Sequence, residues 1–174
     1  PPRSTLFPYT TLFRSIVRLD AGVIYKGYHS DAARTHAVGE VSEEAKKLIR
    51  VTKESFFEGI KFAKAGNHLF DISGAIGRYA EERGYGVVRD LCGHGIGTAL
   101  HEAPEIPNYE VGRKGVRLRP GMTLAIEPMI NMGRPDIFVD DSNGWTIYTD
   151  DRLPSAQREI MVLVTETGHE VLAW

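Results

Sequence analysis

The chain has 174 residues, of which 42% are hydrophobic and 25% charged, and its formal net charge is −2. Such a chain can bury one sizeable core, and a near-neutral charge without a basic block argues against a nucleic-acid partner. No run of about 18 apolar residues is present, so we expect no membrane span, and the single cysteine, Cys92, excludes an internal disulfide and favours a reducing cytoplasm.

The first fifteen residues, PPRSTLFPYTTLFRS, differ in pattern from the rest of the chain. They contain three prolines and an internal echo, TLF and TTLF, without a steady period of 2 or 3.6 residues. The stretch resembles the translation of a sequencing-adapter oligonucleotide. We therefore expect residues 1–15 to be a non-native segment and native sequence to begin near Ile16.

Residues 16–38 predict two strands folded at Tyr25-Lys26-Gly27, because β-branched and aromatic residues flank a central glycine. A helix follows, with Ser42 as its N-cap and Gly66 as its end. Its buried stripe is expected to comprise Leu48, Val51, Thr52, Ser55, Phe56, Ile60 and Ala63.

A second helix is predicted over residues 71–83, ending at Gly84. Short strands then alternate with loops rich in glycine and proline, at residues 87–91, 122–129, 145–149 and 159–165. Hairpins and packed helices without regular βαβ alternation predict an α+β domain with a largely antiparallel sheet.

Asp20 and Asp31 lie on opposite arms of the predicted hairpin. A turn at Tyr25-Lys26 would place them directly opposite, and a turn at Lys26-Gly27 would make them diagonal neighbours. Either register puts both on one face of the sheet, because side chains alternate with period 2. At about 5 Å and an effective dielectric of 20, two carboxylates repel by roughly 3 kcal/mol, so a shared proton or a cation must offset the repulsion.

Two glutamates strengthen the case for a cation. Glu127 lies in TLAIEPMIN and Glu159 begins EIMVLVT, both apolar enough to be interior strands, where an unpaired carboxylate would be costly. His94 lies among glycines in LCGHGIGTALHE, on a loop or strand edge, and we interpret these glycines as letting the backbone fold tightly enough to aim the imidazole at a metal and leave room for a substrate. Four carboxylates and one imidazole form a donor set for hard or borderline divalent ions.

Taken together, these segments resemble type I methionine aminopeptidases of the pita-bread metallopeptidase fold. The matching pieces cover nearly all of residues 16–174 and are LDAGVIYKGYHSDAART, CGHGIGTALHEAPEIPNY, RPGMTLAIEPMIN and NGWTIYTDDRLPSAQRE. The short spacing between Glu127 and Glu159 leaves no room for the insertion of type II enzymes. The resemblance implies a curved, mostly antiparallel sheet with helices on its outer face. It also implies that residues 16–174 are the C-terminal portion of a single metallopeptidase catalytic domain.

The resemblance also implies a set of five metal ligands: Asp20, Asp31, His94, Glu127 and Glu159. By this correspondence Asp20 binds one divalent cation, His94 and Glu127 bind a second, and Asp31 and Glu159 bridge them. The cations would be Co, Mn, Fe or Zn, and they would activate a water molecule for attack on the first peptide bond.

Further roles follow from the same resemblance. Glu127 would transfer the proton, His101 would contact the substrate near the scissile amide and assist catalysis, and Trp145 would lie near the pocket for the methionine side chain. The expected activity is removal of the N-terminal methionine from nascent proteins and peptides, at the ribosome. The protein is expected to be cytoplasmic and monomeric, with no nucleic-acid or membrane partner.

Some positions depart from the family pattern. Arg158, Ile160 and Met161 flank Glu159 where the family more often has an aromatic residue, then His or Asn, then Thr. Leu100 replaces a common phenylalanine. A further substrate-contacting histidine of the family falls on Pro2, inside the segment expected to be non-native.

Two other interpretations stay open at this point. One is a proline-specific aminopeptidase or prolidase of the same fold, although those relatives typically follow the Glu-Pro pair with glycine, and here Met129 follows it. The other is an inactive fragment or a binding module without metal.

A thiol-protease interpretation through Cys92 is disfavoured, because a sequence neighbour such as His94 is not an oriented base.

Overall fold

A long β-hairpin begins the part of the chain that the computed structural model describes, residues 14–173. Strand β1 (Arg14–Tyr25) pairs antiparallel with β2 (Tyr28–Gly39), joined by a two-residue turn. The turn residues, Lys26 and Gly27, both have positive φ (50° and 83°), as a type I′ turn requires. Residues 1–13, and with them most of the segment expected to be non-native, lie outside the described residues, so its origin stays a prediction.

The hairpin register decides between the two arrangements of the aspartates. Asp20 pairs with Ala33, and Gly22 pairs with Asp31. The two carboxylates are therefore diagonal neighbours on the same face of the sheet, as the turn at Lys26-Gly27 predicts.

Two helices follow the hairpin: α1 (Glu43–Ile60) and α2 (Leu69–Glu81). Ser42 caps α1 as expected, because its hydroxyl accepts a hydrogen bond from the backbone N–H of Ala45 at 3.2 Å. The predicted apolar stripe of α1 is buried along its whole length. No helix of the described residues is both long and apolar enough to cross a membrane.

The expected ends of the helices need correction. Helix α1 ends at Ile60 and not at Gly66, because the next N–H groups, of Phe62 and Ala63, bond to carbonyls only three residues back. Gly66 N–H then bonds to the carbonyl of Leu118, a tertiary partner. Helix α2 begins before Asp71, whose carboxylate accepts from the N–H of His68 at 2.8 Å and caps the helix.

The sheet is antiparallel in every pairing of the described residues, which confirms the α+β class. The remaining strands are β3 (Gly86–Val87), β4 (Gly93–Gly95), β5 (Glu102–Ile106), β6 (Thr123–Ile126), β7 (Met129–Asn131), β8 (Ile137–Val139), β9 (Ile147–Thr149), β10 (Ser155–Val164) and β11 (His169–Val171). The main path of the sheet runs β1-β2-β10-β6-β4-β5. Strands β7 and β11 also pair with β10, β3 pairs with β7, and β8 and β9 form a separate ribbon.

Strand β10 separates the helical core from the opposite face of the sheet. Its side chains alternate, so Ala156, Ile160 and Val162 belong to clusters that include the apolar stripes of the helices. Glu159 and Met161 point the other way, and Met161 packs in a smaller cluster. The helices therefore cover one face only, as the sequence predicts, and the carboxylates lie on the other.

Three predicted strands are shorter or broken in the structure. The strand expected over residues 145–149 is limited to Ile147–Thr149. The strand expected over residues 87–91 is limited to Gly86–Val87, with one more backbone bond from Val88 to the carbonyl of Met129. The strand expected over residues 122–129 is interrupted after Ile126, because Pro128 has no N–H to donate to a ladder.

The glycine-rich segment around His94 is a strand, which decides between the loop and the strand edge that the sequence leaves open. Gly93–Gly95 forms β4, buried between β5 and β6. A Cβ on Gly95 would collide with the backbone carbonyl of Ala103, and one on Gly93 with the carbonyl of Ala125. The glycines are therefore required for close packing of neighbouring backbones on both sides of His94.

We predict that Gly95→Ala lowers the free energy of unfolding by about 1–3 kcal/mol, because rigid backbone atoms must move to admit the methyl group. Gly168→Ala is the matched control, since no atom lies within 4 Å of a Cβ there. Urea unfolding of both variants checks the expectation, and equal stabilities would contradict it.

Candidate metal centre

The acidic residues are aligned in rows across the sheet face that the helices leave free. Asp20 on β1 pairs with Ala33 on β2, which in turn pairs with Glu159 on β10. In the adjacent row Asp31 lies on β2, and its N–H contacts the sulfur of Met161 at 3.2 Å. Sheet register thus brings together carboxylates that are up to 139 positions apart in sequence.

His94 approaches the same place from β4. It pairs with Ala125 of β6, and its Nδ1 lies 2.9 Å from the carbonyl oxygen of Gly95. Because a carbonyl can only accept, Nδ1 carries a proton, and Nε2 is the ring nitrogen directed at the carboxylates. Nε2 lies 3.6 Å from Glu127 Oε1 and 4.0 Å from Asp31 Oδ2, so a proton or a cation must separate these electron-rich atoms.

Three of the five predicted ligands satisfy the geometry of a shared ion. Ligand atoms of Asp31, His94 and Glu159 all lie within 4.8 Å of one another, and all three residues are buried. Asp20 and Glu127 line, with His94, an adjoining cavity of about 660 Å³. The structure therefore places all five side chains around one region of the sheet.

Glu127 reaches this region because the strand breaks. It lies between β6 and β7, and its backbone carbonyl accepts a hydrogen bond from Asn108 Nδ2 at 3.1 Å. Its side chain is held by Gln157, whose Nε2 donates to Glu127 Oε2 at 3.0 Å. One carboxylate oxygen is thus fixed by Gln157, while the other faces His94.

Burial and mutual repulsion raise the pKa of three of these carboxyl groups, so that they favour the protonated form when no cation is bound. Burial, followed by the charges of Asp31 and Asp20, raises the pKa of Glu127 to about 8. Burial, then Glu127, Asp31 and Asp20, raises the pKa of Glu159 to about 9. The pKa of Asp31 is also raised, by burial and by Asp20. A divalent cation suits this donor set, because it replaces protons and removes the repulsion.

The other predicted site residues lie around this centre. The ring of His101 contacts that of His94 edge to face, with centroids 4.4 Å apart. Trp145 is 77% exposed and lines a second cavity of about 800 Å³, which adjoins the first and shares Leu91, Met129 and Ile147 with it. Burial raises the pKa of the Cys92 thiol, which favours the protonated, weakly nucleophilic form.

Sequence reasoning missed four polar residues that support the carboxylates: Arg18, Thr35, Asn108 and Gln157. A simple signal was present for two of them. Gln157 precedes Glu159 by two positions and Arg18 precedes Asp20 by two, so strand periodicity places each on the same face as its ligand neighbour. No comparable signal exists for Asn108, which is brought in by tertiary packing.

Residues 9–166 match the profile of metallopeptidase family M24, and the chain belongs to this family. Family membership implies the use of divalent metal ions, in agreement with the donor set described above.

Among curated relatives, the chain is similar to proteins named methionine aminopeptidase. It is 52% identical over 157 residues to that of Clostridium acetobutylicum, covering 90% of this chain and 62% of the relative. It is 45% identical to methionine aminopeptidase 1 of Bacillus subtilis, covering 63% of that protein. The chain thus spans less than two thirds of the length of these relatives.

Solved structures give the same picture. The methionine aminopeptidase of Thermotoga maritima superposes with a TM-score of 0.87 at 46% identity, over 90% of this chain and 63% of the other. A Xaa-Pro dipeptidase from Bacillus anthracis superposes with a TM-score of 0.70 at 33% identity, over 90% of this chain and 38% of the other. The fold is shared with both kinds of enzyme, and the similarity to the methionine aminopeptidases is higher.

The raised pKa values predict how the stability of the metal-free protein depends on pH. Glu127 and Glu159 titrate near 8 and 9 when folded and near 4.5 when unfolded, so the folded state holds more protons between these values. Their contribution to stability is complete below about pH 4.5 and is lost as pH rises through about 8 and 9. Urea unfolding at about pH 6, 7 and 9 should show this fall, and a rise over the interval would contradict it.

Replacing one buried carboxylate should separate stability from metal binding. We expect Glu159→Gln to weaken Mn²⁺ binding by more than about 100-fold, because one of the predicted ligands is lost. The same variant should be more stable than the parent at about pH 9 without metal, since a costly buried charge is removed. Calorimetric titration and urea unfolding measure the two effects, and unchanged Mn²⁺ affinity would exclude Glu159 as a ligand.

Proposed function

We propose that this chain carries the metal centre of a metallo-exopeptidase that removes the N-terminal methionine from nascent proteins and peptides. The observation that carries the proposal is the convergence of Asp20, Asp31, His94, Glu127 and Glu159 on one region of the sheet. The names of the relatives support the choice of substrate.

The ligand roles proposed for two cations are consistent with this arrangement. In this proposal Asp31 and Glu159 would contact both cations, Asp20 would hold one of them, and His94 with Glu127 would hold the other. The oxygen-rich donor set with a single imidazole suits Mn, Fe, Co or Zn. When bound, the cations would lower the pKa of a water molecule and polarise the substrate carbonyl.

The chain's own residues would then manage the proton and the developing charge. Glu127 is our candidate to accept a proton from the attacking water and deliver it to the leaving amine. Its support by Gln157 leaves one carboxylate oxygen directed toward His94 and the cavity. His101 lines the same cavity and would donate a hydrogen bond to the tetrahedral oxyanion.

The apolar part of the second cavity supports a hydrophobic first residue in the substrate. The cavity shares Leu91, Met129 and Ile147, together with Arg18 and Gln157, with the cavity that contains the proposed ligands, and Trp145 lies on its wall. An N-terminal amine at the carboxylates and an apolar side chain in this neighbouring space would account for exopeptidase action on methionine. Trp145 is accordingly our candidate for a substrate contact.

A proline-specific activity is the second candidate, because Xaa-Pro dipeptidases share the fold. The higher identity to methionine aminopeptidases, and Met129 in place of glycine after the Glu-Pro pair, favour methionine. We further propose that the protein acts as a cytoplasmic monomer on chains emerging from the ribosome.

The test is peptide hydrolysis by the chain after addition of Mn²⁺ or Co²⁺. We expect Met-Gly-type peptides to be cleaved in preference to X-Pro peptides. Asp31→Ala should lower turnover by more than about 100-fold, because a bridging ligand is lost. Preference for X-Pro peptides would favour the second candidate, and near-normal turnover by Asp31→Ala would refute the site.

Calorimetric titration with Mn²⁺ distinguishes a chain that binds metal but does not cleave peptides from a chain that lacks the proposed metal centre. If Mn²⁺ binds to the parent chain and not to Asp31→Ala, the metal centre is intact whether or not this chain turns over peptides. If the folded parent chain binds no divalent cation, the proposed metal centre is wrong for this chain.

A further inference from the structure

Arg18 is the only lysine or arginine that lines the ligand-containing cavity among the described residues. It lies on β1 two positions before Asp20, so both side chains are on the same face, and its Nε is 3.9 Å from Asp20 Oδ2. Its side chain is 54% exposed. A permanent positive charge beside a site for cations requires an explanation, because by Coulomb's law it opposes their binding.

The hydrogen bonds of Arg18 lead to Glu127 through a single residue. Arg18 Nη1 donates to Gln157 Oε1 at 2.5 Å, and Gln157 Nε2 donates to Glu127 Oε2 at 3.0 Å. The backbone of Gln157 is clamped on both sides by Thr35, whose hydroxyl accepts from its N–H at 2.9 Å and donates to its carbonyl at 3.0 Å. Gln157 is buried and has little freedom to move.

The chemistry of the two side chains fixes the direction of this relay. A guanidinium has five donors and no acceptor, so it can bind only the oxygen of the Gln157 amide. The NH₂ group is thereby directed at Glu127, where it donates to the carboxylate. Without Arg18, the amide can turn by about 180° about its last torsion and present its oxygen to Glu127, where two acceptors would repel.

We propose that Arg18 is a positioning residue: it fixes the orientation of the Gln157 amide and so holds Glu127 with one oxygen directed at His94 and the ion site. This inference rests on the proposed function, in which Glu127 is a ligand. In this proposal, the gain in cation affinity from orienting Gln157 exceeds the loss caused by the positive charge of Arg18.

Two effects of opposite sign make the inference testable. If Arg18 acted only through its charge, Arg18→Met would bind Mn²⁺ more tightly than the parent chain. If Arg18 orients Gln157, the same variant should bind Mn²⁺ about 10- to 100-fold more weakly, the usual effect of losing a residue that orients a metal ligand. Calorimetric titration with Mn²⁺ measures the change.

The matched control is Arg34→Met, since Arg34 lies on the same hairpin and points to the opposite face. We expect this control to bind Mn²⁺ as the parent does and Arg18→Lys to recover part of the lost affinity, because lysine also donates to Gln157 Oε1. Equal or tighter binding by Arg18→Met, or an equal loss in Arg34→Met, overturns the inference.

A double-variant cycle tests whether Arg18 acts through Gln157. Adding Arg18→Met to Gln157→Leu should cause no further loss of Mn²⁺ affinity, because the relay is already broken, and additive losses overturn the inference. If Arg18→Met does not fold, Gln157→Leu alone must bind Mn²⁺ at least about 10-fold more weakly, and unchanged affinity overturns the inference.

The two proposals fail in different ways. A parent chain that binds no Mn²⁺ overturns both the metal centre and the role of Arg18. A parent chain that binds Mn²⁺, together with an Arg18→Met variant that binds it equally or more tightly, overturns the role of Arg18 alone.

Discussion

Repulsion among buried carboxylates is the constraint on which the rest of this structure depends. Sheet register holds Asp20, Asp31 and Glu159 in adjacent rows, and Glu127 joins them from a break in the sheet. The raised pKa values of Asp31, Glu127 and Glu159 show the cost of that arrangement in the absence of a cation. Binding of a divalent cation would offset the free energy of this repulsion, and these oxygen donors with one imidazole suit divalent cations.

Strand β10 links the helical core to the proposed metal centre, because it contributes side chains to both. One set of its side chains packs with the helices, and the alternate set includes Glu159 and Gln157. The helical core therefore determines the position of the ligands, although no helix contributes one to the proposed set. The Arg18–Gln157–Glu127 relay lies on the same face of the sheet as the proposed ligands. Arg18 and Gln157 are each two positions from a proposed ligand on their own strand, so they can reach and orient Glu127.

The predictions succeeded where a local rule applied and were wrong where neighbouring strands decided the outcome. Period-2 alternation was enough to place Asp20 and Asp31 on one face, and apolar surroundings were enough to mark Glu159 as buried. The glycines around His94 do not by themselves distinguish a loop from a strand, and close packing against Ala103 and Ala125 makes the segment a strand. Arg18 was overlooked because its role depends on a partner 139 positions away.

The sequence by itself determined the residue types of the donor set, the faces of the hairpin and the resemblance to a family, because these depend on side-chain chemistry and local periodicity. Only the tertiary structure decided which hairpin register forms, that Glu127 leaves the ladder at Pro128, and that Gln157 links Arg18 to Glu127. These features depend on pairing between distant strands, whose register is set by the whole sheet and is invisible in any short segment.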